Sequence, residues 1–441
     1  MNRIVKNASL LLGRDLTYVE TGFIEIGENG IITRAGAGNY NSKTLSNNIT
    51  CSSDGSGTVL DSEGLLVMPG FINAHTHVGD SIGKDVLVES GGLNTRIHPI
   101  YGAKRVILQK SGPDQLRMLM RASIISMLKK GIVAFSDFRE GGCEGVELLK
   151  QAMSELPIKC IVLGRAEYYF DLTKDLGMDK KGDRRLPPKA LGQASDILKV
   201  AGGLGISGAN ENTDSSLQQY RQLIDGVNKK TRIKPRNREY SKKNRKLLLA
   251  IHAAESKESV EFSKSITGRT ELARIMQYLK PDVIVHMTNA TDEDIFLVSR
   301  ARTGVVICPR ANGILGAGIP RVAHMLENGC TIAIGTDNVM LNSPDIFREM
   351  DYIWKASRAI ENNFISARDI LKMSTSNAAQ ILGLNSGCIE TGRSADLIFI
   401  DKKHLDLYPI HNPYASIIHR ANSDSIKGIM IDGKLADGAG L

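Results

Sequence analysis

Six residues in four separated stretches of this 441-residue chain have the types and positions that hydrolytic metal chemistry needs. His75 and His77 form His75-Thr76-His77 after Val67-Met68-Pro69-Gly70-Phe71-Ile72-Asn73-Ala74. His252 and Glu255 lie in Ile251-His252-Ala253-Ala254-Glu255. His286 ends Val283-Ile284-Val285-His286, and Asp337 ends Ala333-Ile334-Gly335-Thr336-Asp337. Each stands at the carboxyl end of a short apolar run that reads as a buried parallel strand. Imidazole nitrogens and a carboxylate at the same end of successive strands suit a catalytic metal that keeps one position open for water. A lone histidine at a strand end is more often a satisfied polar side chain than a ligand. His75 and His77 escape that objection because alternation along a strand puts residues i and i+2 on one face. His252, His286 and Asp337 gain weight from recurring on what count as strands five, six and eight. His98 in a loop, His324 in a helix, and His404, His411 and His419 near the tail have no such context and are set aside.

The elements that must position these residues alternate along the chain. Candidate strands fall at 68–74, 132–137, 159–165, 203–208, 247–252, 282–286, 304–308 and 331–336. Helical segments lie between them, including 114–130, 145–155, 256–267 and 321–328. Eight strand-then-helix units predict an α/β fold, a closed (β/α)₈ TIM-type barrel with its site at the carboxyl ends of the strands. That barrel is expected over 68–386. Residues 1–67 and 387–441 show β-type alternation and are expected outside it.

Composition narrows the function classes. No run approaches ~18 apolar residues, so no membrane span is expected. The first residues read as a strand rather than a signal peptide, and six scattered cysteines with no close pair fit a reducing, cytoplasmic setting. The net charge of +8 is concentrated: residues 229–246 hold ten Lys or Arg against Glu239 alone, a local +9, leaving −1 for the remainder. The segment has Pro235 and no aromatic interleaving beyond Tyr240. It is read as a solvated connection on the face away from the site, and not as a nucleic-acid contact. The expected partner is a small-molecule substrate, with homo-oligomerisation left open.

The chain resembles the amidohydrolase superfamily, in the branch with cytosine deaminase, guanine deaminase and the adenosine-type and triazine hydrolases, the last chlorohydrolase-like. The resemblance rests on Pro69-Gly70-Phe71-Ile72-Asn73-Ala74-His75-Thr76-His77, His252-Ala253-Ala254-Glu255, Cys308-Pro309-Arg310-Ala311-Asn312, Gly335-Thr336-Asp337-Asn338 and the stretch from Gly387 to Leu397, all in the family's order. It implies that the two terminal segments pair in a small β-sandwich. It implies His75, His77, His252 and Asp337 as metal ligands, Glu255 as proton shuttle and His286 as support for the reacting oxygen. Asp337 could alternatively deprotonate the water. A Glu in the position of Glu255 also suits the first turn of a helix through the macrodipole. The fourth candidate strand offers no lysine to bridge two metals, so one divalent ion is expected, zinc first and iron second. The other zinc-deaminase fold needs Pro-Cys-x-x-Cys, and no Cys-x-x-Cys occurs. The implied reaction is hydrolysis of a carbon–nitrogen bond that is not a peptide, foremost deamination of an amino-substituted heterocycle of nucleobase, nucleoside or pterin type. A ring-opening hydrolase resembling imidazolonepropionase, or a catalytically silent binding protein, stands as the alternative. Lys84, Arg139, Arg165 and Asn312 are candidate substrate contacts. Arg310 also follows a strand end, and such cations would suit an anionic group on the substrate. The stretch Val78 to Asp85 departs from the Arg-Gly-containing segment of the adenosine-type and triazine relatives.

Overall fold

The structure is a computed structural model that describes residues 2–40, 58–86, 88–89, 95–96, 98–175, 184–232 and 246–436. The chain begins with β1 (Arg3–Leu12), β2 (Thr17–Ile26), β3 (Ile32–Ala37), β4 (Thr58–Asp61) and β5 (Leu65–Pro69). The parallel strands follow: β6 (Phe71–His77), β7 (Ile132–Arg139), β8 (Lys159–Gly164), β9 (Gly203–Ile206), β10 (Leu248–Ala253), β11 (Val283–His286), β12 (Gly304–Ile307), β13 (Ile332–Ile334) and β14 (Asp337–Asn338). It ends with β15 (Leu397–Asp401), β16 (Ile426–Ile431) and β17 (Lys434–Leu435).

The second group forms a nine-stranded parallel sheet in the order β13-β12-β11-β10-β9-β8-β7-β6-β14. Its strands are buried on both faces, which is why they read as continuous apolar runs. One row of side chains faces inward: Ile72, Phe138, Leu248, Ala250, Val283, Val285, Val306 and Ala333 pack in one cluster with Ala378, Ala379 and Leu382 of the helix Ser376–Leu382. The sheet curls until its ends meet. Gly335 N donates to Ile307 O (2.9 Å) on one side, and Thr336 N donates to His75 O (2.9 Å) on the other. Only glycine fits at 335, since a Cβ there would lie 2.8 Å from the Cβ and carbonyl oxygen of His75. The arrangement is that of a TIM-type barrel, with helices such as Pro113–Lys129, Gly142–Met153, Lys257–Thr267 and Val322–Glu327 between strands.

The terminal strands form one eight-stranded sheet, ordered β17-β16-β15-β5-β1-β2-β3 with β4 beside β1. The antiparallel pair β5–β15 joins the beginning of the chain to its end. The basic segment begins on the helix Asp214–Arg232 and resumes at Lys246, whose ammonium pairs with Asp282; residues 233–245 lie outside the described residues.

Candidate metal centre and active site

Local departures from regular strand geometry aim the polar side chains at one point. Along β6 and β7, Asn73 pairs with Phe135 but Thr76 pairs with Asp137, so β6 carries one extra residue. That bulge lets Ala74 and His75, consecutive in sequence, both reach the inner cluster; the His75 ring sits 4.6 Å from Phe138. On β10 no correction is needed, because His252 continues the inward row of Leu248 and Ala250. On β11 the inward row is Val283 and Val285, and alternation would turn His286 outward. Its φ of +80° reverses it instead. Ala254, Met287 and Asp337 also take left-handed φ values of +50°, +52° and +57°.

The result is a convergent donor set. His75 Nε2 lies 3.2 Å from Asp337 Oδ1, His77 Nε2 lies 3.5 Å from the same oxygen, and His252 Nε2 lies 3.4 Å from His75 Nε2. His77 Nδ1 donates to Phe138 O and Glu140 Oε1, both at 3.1 Å, and His252 Nδ1 donates to Ser207 O at 2.8 Å. The proton of the His77 and His252 rings is thereby spent on the outer side, and their Nε2 atoms present lone pairs inward, while His75 Nδ1 has no hydrogen-bond partner. Ligands of a tetrahedral ion at about 2.1 Å stand about 3.4 Å apart along each edge, which matches these spacings. Asp337 Oδ2 is buried with no hydrogen-bond partner. Lone pairs facing each other at such distances in a buried site fit a cation between them.

Electrostatics prepares the same set. Burial pushes the imidazoles of His75 and His252 down and takes His77 to about 3, so all three stay neutral as ligands must. For Asp337 burial acts upward, but the hydrogen bond with His75 leads the influences that outweigh it and hold the carboxyl below its ordinary range. Glu255 goes the other way: burial lifts it to about 7, against the opposing pull of His286.

Glu255 and His286 face this set from the adjoining side, with Glu255 Oε1 3.7 Å from His286 Nε2. Asn312 Nδ2 donates to His286 Nδ1 at 3.1 Å, which leaves the ring proton on Nε2, toward the site. The turn carrying Glu255 is held by two braces. Ala254 N donates to Glu271 Oε2 (3.1 Å), and Asn289 Nδ2 donates to Glu255 O (2.9 Å). His77, His252, Glu255, His286 and Asp337 line one cavity of about 470 Å³ at the carboxyl ends of the strands.

The structure brings together all six residues singled out first in the sequence. The candidate substrate contacts divide. Arg139 and Arg165 line the cavity. Lys84 is exposed and outside the lining, so its position after the first strand does not deliver it to the site. Asn312 is fully buried behind His286 and serves that ring rather than a ligand. Arg310 pairs with Glu349 (3.4 Å) and Asn342 (3.2 Å) away from the cavity. Sequence reasoning missed Lys104, Glu140 and Glu211, which line the cavity, and it set aside His98, whose ring stacks on Tyr101 at 3.7 Å and whose Nε2 lies 3.8 Å from Glu211. Glu140 directly follows β7 and Glu211 follows β9, so the strand-end rule applied to carboxylates as well as histidines would have found both.

Known proteins resemble this chain along nearly its whole length. The chain is 34% identical over 432 residues to a protein named putative aminohydrolase from Methanothermobacter thermautotrophicus, with 98% of each chain covered. It is 25% identical over 454 residues to a 5-methylthioadenosine/S-adenosylhomocysteine deaminase from Thermococcus sibiricus, covering 99% of this chain and 94% of that one. Among solved structures, an adenosine deaminase from Xanthomonas campestris with bound zinc superposes with a TM-score of 0.78 at 19% identity, covering 98% and 92% of the two chains; it shares the fold. The model of the amidohydrolase family matches residues 66–436, most of the chain, and this protein belongs to that family.

Proposed function

We propose that this protein is a hydrolase of carbon–nitrogen bonds that deaminates an amino-substituted heterocycle of nucleobase, nucleoside or pterin type. One zinc ion, or iron in its place, would be held by His75, His77, His252 and Asp337. The observation that carries the reading is Glu255: a half-buried carboxyl lining the cavity, whose buried Oε1 has no hydrogen-bond partner, beside the proposed ligand set. Deaminase-named relatives along nearly the whole chain support it.

A divalent ion in that set supplies the Lewis acidity that makes a water nucleophilic near neutral pH. Glu255 accepts one proton of the attacking water and hands it to a ring nitrogen, then takes the remaining proton of the added hydroxyl and gives it to the departing amine, which leaves as ammonia while the carbonyl forms. The His286 Nε2–H donates to the oxygen on which charge develops, and Asn312 keeps that proton in place. Arg165, buried in the lining with its Nε unpartnered, is the cation we assign to an acceptor group of the substrate. We further read the chain as a (β/α)₈ barrel over 68–386 with 1–67 and 387–441 as a β-sandwich. No helix among the described residues is long and apolar enough to cross a membrane, and the five described cysteines are free thiols. A cytoplasmic enzyme suits those thiols.

The test is ammonia release by the zinc-loaded protein over aminopurines, their nucleosides, aminopyrimidines and pterins, with metal content measured in parallel. Replacing Glu255 by Gln should cost on the order of 10²-fold in turnover while zinc is retained. His75→Ala should lose the zinc. Full activity in Glu255→Gln would refute the assignment, and substrate consumed without ammonia would replace deamination by ring opening.

A further inference from the structure

Glu140 is surrounded by more positive charge than one carboxylate ordinarily meets. Its Oε1 lies 2.9 Å from Lys104 Nζ and 4.0 Å from an Arg165 nitrogen, and its Oε2 accepts from Arg139 at 2.7 Å. The three cationic side chains are each less than a tenth exposed. Other acids stand behind them: both oxygens of Asp80 are already engaged, and Asp137 lies beside Arg139 through an Oδ2 that accepts no hydrogen bond. Asp80, 3.2 Å from Lys104, accepts from Asn338 Nδ2 (2.7 Å) and Met340 N (3.0 Å). Asp137, 3.7 Å from Arg139, accepts from Val78 N (2.7 Å). Glu140 is thus the carboxylate shared by all three cations, and the same Oε1 accepts from His77 Nδ1.

That last bond is duplicated. Phe138 O accepts from His77 Nδ1 at the same 3.1 Å. The ring would keep its tautomer and an acceptor without Glu140. What Glu140 alone contributes is negative charge between a ligand imidazole and three buried cations. Uncompensated, those cations would oppose a divalent ion held by His77, and low-dielectric surroundings would make the opposition stronger than in water.

We propose that Glu140 is a positioning residue of the metal centre that acts through charge: it neutralises Lys104, Arg139 and Arg165 so that a divalent cation can bind at His77. The inference rests on the metal site described above. It is tested by zinc affinity, measured on metal-stripped protein by competition with a chromophoric chelator, for wild type, Glu140→Gln, Lys104→Met and the double variant. Glu140→Gln preserves shape and should weaken zinc about 10- to 100-fold. Lys104→Met removes a cation while keeping Glu140, so it should bind zinc at least as tightly as wild type. The double variant should regain about tenfold over Glu140→Gln, a coupling expected of neighbours in one charge network. Equal affinity in wild type and Glu140→Gln, or no recovery in the double variant, overturns the charge role. Weaker zinc binding in Lys104→Met overturns it too, and decides the matter should Glu140→Gln fail to fold. Wild type that takes up no zinc refutes the metal site itself, which distinguishes that failure from this one.

Discussion

Replacing Asn312 with Leu separates two roles that the sequence left undivided. Asn312 is fully buried, and its amide nitrogen is the donor to His286 Nδ1 at 3.1 Å. Leucine fills nearly the same volume but cannot donate, so a buried ring nitrogen loses its partner. Leaving such a group unsatisfied costs about 1–3 kcal/mol. The ring can recover part of that cost only by moving its proton or turning, and either removes the Nε2–H that faces Glu255. At 1.4 kcal/mol per factor of ten, the loss corresponds to a fall in kcat of about 5- to 150-fold. Steady-state kinetics on the preferred substrate, with zinc content measured on the same samples, is the assay. The expected signature is a lower kcat with KM and zinc unchanged, as for an interaction realised in the transition state. A raised KM at constant kcat would mean that Asn312 contacts substrate directly, and an unchanged kcat would mean that the His286 proton does not contribute.

Two further outcomes follow from the closure and the core. Gly335→Ala places a methyl 2.8 Å from the His75 backbone and Cβ, so the strands that meet there must part; a loss of about 1–3 kcal/mol in unfolding free energy is expected, together with weaker zinc retention. Wild-type zinc affinity in that variant would show that His75 is not held by this contact. Burial raises Glu349 to about 8 from 4.5, so across that interval the folded protein keeps a proton that the unfolded chain has lost. Stability from this group is therefore present below the unfolded value and is lost as pH rises toward 8. Thermal unfolding of Glu349→Gln should gain on wild type as pH increases from 5 to 9; a constant difference across that range would contradict the buried, protonated Glu349.

Much of this centre was legible in the chain because its strands are buried on both faces, and such strands announce themselves as short apolar runs. His252 needed nothing more, since simple alternation already points it inward. His75 and His286 were found for a partly accidental reason. Their strand-end positions were right, but what turns them inward is a bulge in β6 and a left-handed residue in β11, neither of which has a sequence signature here. Lys104 was invisible for a different reason. It sits in a charged stretch that looks solvated, and its burial arises with partners far along the chain, Asp80 and Glu140. Lys84 shows the converse, a cation close in sequence to His75 and His77 that the chain nonetheless turns to solvent.

The left-handed backbone at Ala254, His286, Met287 and Asp337 sets a limit on how this protein can be improved. Each such residue carries a conformational cost of order 1–3 kcal/mol, tolerated because it aims or flanks a side chain of the centre. A selection for heat tolerance alone would find gains there: Asn or Gly at 254 or 287 relaxes the turn. The same relaxation frees the Glu255 and His286 side chains from a single orientation, so variants enriched for stability at these sites should lose turnover in step. A parallel screen scoring both properties would trace that exchange at these turns, and substitutions in the remote terminal sheet would escape it.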